Sequence, residues 1–483
     1  MENTENKKGV SAIDFFCIGF GSIVGVGWAV SINNWMANCG GPVPAALGYI
    51  ISLVMMIPIA LCYCELVPMY PVAGGEMAFA YKAFGERLSM VSGWAAFGAF
   101  VAIVPWEAIQ ITDVLGYLIP GLKAGGPLYE IAGSGIHLSS IIIGIICSII
   151  LFLINNRGLA SAAKLQRFLC IFLVSAAVLG ALIAVIFGDL SNLKPVYDNT
   201  IKEGLTHSSM FGGVLAMLVS VPFFVTGFET IPQGIESAGG SVKAVGKTVV
   251  FSVVAACVFY AMLLICFGSG IGWRDFVNLD NPAASNMFLA LLPGTPGRIL
   301  FWLITLGAIA GLLTTWNGFF MASANLLMAM ARGRLMPAAF AKQNANGAPV
   351  NGLRFALVLS IAGPLAGAGL IGDLTSFSSC AILLSWMITA YSLIRLRKTA
   401  PETDRPYRIP GGVKTGWFAA VLTMIIIVLL FVPGNPLFMG KMAIVMFIGW
   451  MLLGFALYMA CSGQRRAMSP LEREKTIFAK LDR

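Results

Sequence analysis

The sequence predicts an all-α integral membrane protein with twelve transmembrane helices. They form a 5+5 inverted repeat with discontinuous helices 1 and 6, plus two peripheral helices. Three observations predict this: the composition, the recurrence of long apolar segments, and two segments interrupted at matching places. The 483 residues are 58% hydrophobic and 11% charged, with a mean hydropathy of +0.85; soluble domains carry roughly 25% charge. Runs long enough to cross about 30 Å of hydrocarbon fall at about 12–37, 43–69, 88–119, 138–154, 160–187, 210–237, 248–271, 298–331, 351–370, 374–394, 416–433 and 441–462. We number these segments 1 to 12. The expected division is a tail at 1–11, five-helix repeats at 12–194 and 210–394, segments 11 and 12 at 416–462, and a second tail at 463–483.

The interruptions carry the argument for a repeat. Segment 1 contains GFGSIVGVGW, with Gly19, Gly21, Gly25 and Gly27 at its centre. Segment 6 contains VPFFVTGFETIPQ, punctuated by Pro222, Gly227 and Pro232. Helix breakers at membrane depth leave unpaired backbone groups, which are tolerated only where they line a protein cavity. Gly25 and Gly227 are 202 residues apart, and segments 3 and 8, 4 and 9, and 5 and 10 begin 210, 213 and 214 apart. Such steady offsets suggest one five-helix unit used twice. Five is odd, so the second copy enters the membrane from the opposite face, with unwinding expected near Val24–Gly27 and Val225–Phe228. Interrupted segments in corresponding halves point to the substrate site of a secondary transporter.

Charge fixes an expected orientation. With the amino terminus inside, 25 of the 31 Lys and Arg fall on inside loops and tails, and six fall outside. That is the asymmetry of the positive-inside rule for twelve helices with both termini cytoplasmic, in a multi-pass cell-membrane protein. The net charge of +9 therefore reports topology and not nucleic-acid binding. The ten Cys match no metal or disulfide framework and suit small apolar filling. The only histidines, His137 and His207, fall at predicted outer edges, so neither a metal centre nor a cofactor is expected. No removable signal peptide is expected either.

Four motifs then carry a family resemblance. Segment 1 has GSIVGVGW; the end of segment 2 has YCELVPMYPVAGGEMAFAY from Tyr63 to Tyr81. Segment 6 has the triplet Gly227, Phe228, Glu229; segment 8 runs out through LLMAMARGRLMP to Pro349, Val350 and Asn351. In this order and spacing the chain resembles an amino acid permease of the amino acid–polyamine–organocation superfamily, from about Ser11 to the start of segment 11. There are departures. The family often has Gly-Ser-Gly where this chain has Gly25, Val26, Gly27. The loop after segment 6 reads GGSVKAVGK in place of a proline-containing one. Some members carry a cation-site lysine in helix 5 where this chain has Leu173.

An amino acid presents a carboxylate, an ammonium and a side chain, and a broken helix suits all three. Free N–H groups at the start of a half-helix attract the carboxylate, and orphan carbonyls at the end of the preceding half attract the ammonium. Gly25 and Gly27 let a ligand approach bare backbone, and Val26 leaves the carboxylate to main-chain donors. Gly21 and Gly25 also make a G-x-x-x-G packing face, so helix packing stays open. Phe224, Val225, Thr226 and Gly227 from segment 6, Ile23 from segment 1 and Phe319 from segment 8 are the expected pocket, with Trp316 the competitor of Phe319. Glu229 follows the break in segment 6, and a carboxyl at membrane depth is a functional-site hypothesis by default. Holding unwound N–H groups is the alternative; the resemblance implies gating or proton coupling. Glu107, in PWEAIQ of segment 3, is the second candidate, since some permeases of the superfamily have a helix 3 acid tied to proton coupling. Glu65 and Glu76 are expected to stabilise a loop at the end of segment 2.

The leading reading is a secondary active transporter, not an enzyme, embedded in the lipid bilayer. It takes up a neutral amino acid by alternating access with a coupling proton. A cationic substrate, an amino acid or amine exchanger, and a sodium symporter using Thr314, Thr315 or Ser323 stay open. No G-x-x-x-x-G-K-[ST] loop is present to make ATP the driver, and no filter loops or charged rings support a channel.

Overall fold

The computed structural model describes residues 9–123, 126–203, 205, 207–435 and 437–479. In hydrocarbon the main chain must satisfy its own polar groups, so the apolar segments fold as helices. Among the described residues, ten helices are long and apolar enough to cross a membrane. An eleventh candidate, segment 6, is a pair, Met210–Leu218 with Val221–Ser237, bent by 52°. Segment 9, Val350–Ala366, is a shorter apolar helix of 17 residues. The main uninterrupted helices are Pro42–Met69, Glu86–Leu118, Leu138–Asn156, Leu159–Phe187, Val242–Gly270, Thr295–Arg332, Ile371–Thr399, Val413–Phe431 and Lys441–Ala460.

The all-α expectation needs one correction. Between segments 3 and 4, Tyr129–Ile131 and Ser134–Ile136 pair as an antiparallel hairpin, Tyr129 opposite Ile136. Its two-residue turn, Ala132 and Gly133, takes φ of +49° and +75°, the left-handed pair that tight hairpins require.

Both interruptions are real breaks. Segment 1 is helical over Ala12–Ile23 and resumes at Gly27–Val30. Segment 6 is helical over Met210–Val225 and resumes at Thr230–Gly234. The two breaks press on each other. Gly227 has φ +148°, and a β carbon there would lie 2.5 Å from the carbonyl carbon of Ser22 and 2.6 Å from the nitrogen of Ile23. Side chains satisfy the freed backbone groups. The Glu229 carboxylate accepts from the Gly227 N–H at 2.7 Å, and the Thr230 hydroxyl donates to the Gly227 carbonyl at 2.6 Å. On the other break, Tyr260 of segment 7 donates to the Ile23 carbonyl at 2.9 Å, and Thr315 of segment 8 to the Gly21 carbonyl at 3.3 Å.

The remaining helices close around this centre. Segment 7 packs along segment 2, segment 10 along segment 3, and segment 8 against segments 3 and 5. Segments 11 and 12 stand outside: only 28% and 11% of their apolar windows are buried, against 89% for segment 3. Segment 12 is pinned to segment 3 by Trp94 and Trp450, stacked at 4.4 Å, each indole N–H donating to the other's carbonyl.

Gly227→Ala is expected to lower the thermal unfolding midpoint, because it adds strain of order 1–3 kcal/mol and a clash with segment 1. Gly294 also has a positive φ, +90°, but nothing within 4 Å of an added β carbon. Gly294→Ala should therefore cost less; equal losses would show that the two breaks do not press together.

Candidate functional site

Where the breaks meet lies a small cavity of about 30 Å³, room for about one or two waters and well below the roughly 300–1,000 Å³ of open small-molecule sites. Segment 1 contributes Ser22, Ile23, Gly25, Val26 and Gly27; segment 6 contributes Phe223, Phe224 and Thr226. Segment 3 adds Ile103, Trp106 and Glu107, and segment 8 adds Thr315 and Phe319. Seven of the nine residues expected to bind substrate thus share one cavity with Glu107. The other two, Val225 and Gly227, are not among these lining residues. Val225 is wholly buried in the core, and Gly227 lies against the backbone of segment 1.

The two halves of segment 1 meet the cavity with opposite polarity. The first turn at Gly27–Val30 opens with N–H groups that have no intrahelical acceptor, and the helix before it ends in carbonyls without intrahelical donors, of which those of Ile23 and Gly21 are taken by Tyr260 and Thr315. The walls between are aromatic. Phe224 stacks edge-on to Trp35 at 4.8 Å and to Phe223 at 5.3 Å, and Phe319 lies 5.5 Å from Phe100. Trp316 is excluded from this wall: its indole N–H donates to Ser360 on segment 9 at 3.1 Å. Phe319 is the aromatic residue of segment 8 that faces the cavity.

The two carboxyls differ in what they are bonded to. Glu229 is fully buried beyond the cavity, its Oε2 held by the Gly227 N–H and its Oε1 by the indole N–H of Trp386 on segment 10. It holds unwound backbone, the alternative weighed for it above. Glu107 is 2% exposed, and its Oε2 has no hydrogen-bond partner. Its Oε1 would lie 3.6 Å from a β carbon on Gly25, so the free carboxyl faces the break of segment 1. The indole N–H of Trp106, also on the cavity wall, is likewise unpartnered. A buried acceptor and a buried donor left open on one cavity wall are what a polar ligand would satisfy.

Leu173 is wholly buried against Gly311, and Gly311 packs on the Gly25 carbonyl. The helix 5 position therefore presents hydrocarbon beside the break of segment 1. Thr314 donates to the Gly311 carbonyl at 2.7 Å and Ser323 to that of Phe320 at 3.1 Å. Thr314 lies against Gly21 of segment 1, but of the three candidate sodium ligands Thr315 is the one whose hydroxyl hydrogen-bonds segment 1 among the described residues.

Several polar residues escaped sequence reasoning. Gln166 of segment 5 donates to the Thr314 carbonyl at 3.0 Å and accepts from Asn317 at 2.8 Å; Asn317 accepts from Asn155 of segment 4 at 2.9 Å. Their periodic placement on three separate helices was the only available signal, and it does not reveal who faces whom. Glu65 does tie a loop, as expected: it binds Arg397 and accepts from the Ile409 N–H at 3.0 Å. Glu76 ties the connection between segments 2 and 3 from inside the bundle: it is wholly buried between segments 2 and 6, bonded to Tyr63 and Gln233.

A family model described as amino acid permease matches residues 10–453. The chain is 21% identical over 462 residues to the branched-chain amino acid permease BcaP of Bacillus subtilis (strain 168), covering 94% of this chain and 92% of that one. It is 26% identical over 416 residues to the glutamate/serine transporter AimA of the same organism, covering 82% and 72%. It is 23% identical over 433 residues to that organism's aspartate-proton symporter, covering 87% and 79%.

A side chain at Gly27 would meet the Phe224 ring, since a β carbon there lies 2.7 Å from its Cε1. Gly27→Leu is expected to push that ring into the cavity and weaken ligand binding at least tenfold, about 1.4 kcal/mol, with the thermal midpoint kept. Unchanged affinity in a stable mutant would remove segment 1 from the site.

Proposed function

The chain belongs to the amino acid permease family, and from that premise we propose that it takes up a neutral amino acid by proton-coupled alternating access across the cell membrane. The protein is a multi-pass membrane transporter of amino acids and not an enzyme. The proposed architecture has twelve spans, segment 9 counted among them, with five-helix repeats at 12–194 and 210–394 in opposite orientations and both termini cytoplasmic. The breaks in segments 1 and 6 and the 25-to-6 charge asymmetry support it.

The observation that carries the function is the unpartnered carboxyl of Glu107 in an otherwise mostly apolar cavity between the breaks. The substrate's carboxylate is received by the main-chain N–H groups from Val26 onward, because no hydroxyl stands at that position. Its ammonium lies toward the carbonyl end of the first half-helix. Its side chain lies among Ile23, Phe224 and Phe319, which favours an apolar substituent. Glu107 is the proton carrier. An uncompensated charge at membrane depth is costly, so gaining a proton there biases the inward–outward equilibrium. Glu229, already bonded across the break, is the gating partner. Hydrocarbon at Leu173 and the internal bonding of Thr314 and Ser323 leave sodium the lesser candidate. The aspartate-proton symporter among the relatives is consistent with proton use.

A second reading has its own observation. A bare carboxylate facing the ligand is also a counter-ion for a cationic side chain, in which case Glu107 binds substrate and the protein exchanges cationic amino acids or amines. A panel of twenty amino acids and polyamines tested for uptake into proteoliposomes separates the two readings.

Glu107→Gln should abolish uptake driven by a pH gradient and keep exchange of internal for external substrate. Gradient-driven accumulation with a normal pH profile in this mutant, or a sodium requirement in the parent, would overturn the coupling. For the topology, a cysteine at Asn199 in a cysteine-less background should react with an impermeant thiol reagent from outside, and one at Ala345 should not. The reverse pattern would invert the orientation.

A further inference from the structure

Past the break of segment 6 lies a larger polar hollow of about 210 Å³, with Gln233, Glu236 and Arg332 in its wall. Between this hollow and Glu229 stands Glu76, a carboxyl that the site above does not use. It opens the helix Glu76–Phe84 directly after the turn at Gly74 and Gly75, whose φ angles are +100° and +36°. That turn folds the loop back into the bundle and carries Glu76 with it, to complete burial.

Both carboxyl oxygens are held by neutral donors from other elements. Tyr63 of segment 2 donates to Oε1 at 3.0 Å, and the Gln233 amide of segment 6 donates to Oε2 at 2.8 Å. The Gln233 amide oxygen accepts from the Gly74 N–H at 3.1 Å. One amide thus fastens both the turn and the carboxylate to the segment that follows the break. The link reaches Glu229 as well. The Phe228 ring packs edge-on to Tyr63 at 5.2 Å and stacks on Trp386 at 5.5 Å, and Trp386 donates to Glu229. One turn further along segment 10, the Thr389 hydroxyl is buried beside Tyr63, within its reach.

We propose that Glu76 is a pH-sensing positioning residue of the transport cycle: as a carboxylate it fastens the loop between segments 2 and 3 to the moving half of segment 6, and on protonation it loosens that hold. This rests on the reading of segment 6 as a moving element. The chemistry follows from who can donate. A carboxylate only accepts, and both its neighbours are donors, so the arrangement fits the ionised form. Gln233 cannot turn over, because its oxygen is needed by the Gly74 N–H. A proton arriving on Oε2 would face an amide N–H. A proton on Oε1 is accommodated if the Tyr63 oxygen accepts it and the Tyr63 O–H swings to the neighbouring Thr389 hydroxyl. The Gln233 bond then loses its charge assistance, roughly half its strength.

Burial pushes the Glu76 carboxyl up to about 8, so its charge changes within the working range of pH. The groups around it are few. Tyr63 and Glu229 face it from segments 2 and 6, and Ser92 of segment 3 donates to its carbonyl at 3.4 Å. The nearest ion pair is Arg332 with Glu236, which also accepts from the Ala73 N–H. Lys82, farther along the same helix, is engaged by Glu474, and Arg395 of segment 10 lies over Phe84 at the helix's far end.

The test is substrate exchange in proteoliposomes at equal pH on both faces, where no net proton coupling is required. In the parent, exchange should fall roughly tenfold between about pH 7 and about pH 9, following the protonated fraction of a group titrating near 8. Glu76→Gln should stay at the fast rate throughout. Tyr63→Phe removes a donor to the carboxylate, so it should move the alkaline midpoint to higher pH. Exchange at equal pH needs no net proton movement, so pH-gradient-driven uptake by the parent, measured in the same vesicles, separates failure of the coupling reading from failure of this proposal. A parent-like profile in Glu76→Gln overturns the proposal. If Glu76→Gln does not fold, an unmoved midpoint in Tyr63→Phe overturns it.

Discussion

A main chain that stops being helical at membrane depth leaves N–H and C=O groups that water cannot reach, each costing about 1–3 kcal/mol if left open. The core of this molecule is organised by that constraint. The two breaks lie against each other, glycine to backbone, so neither exposes its unwound turn to lipid. What the breaks cannot give each other comes from Tyr260 of segment 7, Thr315 of segment 8 and Trp386 of segment 10, the last through Glu229. Because these partners come from separate helices, the bundle has to close around the breaks before any of them is satisfied. Segments 11 and 12 supply none of these bonds and stand outside.

The same constraint divides the work between the carboxyls. Glu229 is used up by the break: its two oxygens answer an N–H of the unwound turn and an indole, and neither is left for a ligand. Glu107 is on an intact helix, where no backbone group needs it, and one of its oxygens is open to the cavity. Of the two acids at the break and the cavity, only Glu107 has an oxygen free to respond to whatever enters. This asymmetry, and not the mere presence of two acids, is why the proton is assigned to Glu107 and the gate to Glu229.

Much of this was legible in the sequence, and the limits have physical causes. Hydropathy located the helices, because length and apolarity are what the bilayer selects. Glycine and proline located the breaks, because those residues are costly in a helix interior. Facing was harder. Trp316 and Phe319 are three residues apart on segment 8, so periodicity puts both near one face; only the hydroxyl of Ser360, on another helix, draws Trp316 away. Val225 and Gly227 alternate with cavity residues because an unwound turn has no helical period to extrapolate. The Tyr129–Ile136 hairpin lies in a connection, where the bilayer imposes no helix. That Glu76 holds its loop from inside the bundle was not legible, because nothing in its neighbours reveals that the Gly74–Gly75 turn points inward.

The position of Glu76 also explains how a small local change can be felt at a distance. Gln233 is four residues after Glu229, one helical turn, so the stretch that follows the break of segment 6 carries both contacts as one short rigid piece. Thr226 and Phe224 on the other side of the break face the cavity that Glu107 shares. A shift of this piece relative to segment 2 therefore strains the Tyr63 and Gln233 bonds at one end and the Gly227 turn at the other. Packed elements respond to such strain by changing between discrete arrangements, not by bending continuously. On the proposed cycle, a proton at Glu76 weakens the hold on this piece, and a proton at Glu107 removes an uncompensated charge from the cavity beside it. The two sites then bias one equilibrium with no chain of contacts needed between them.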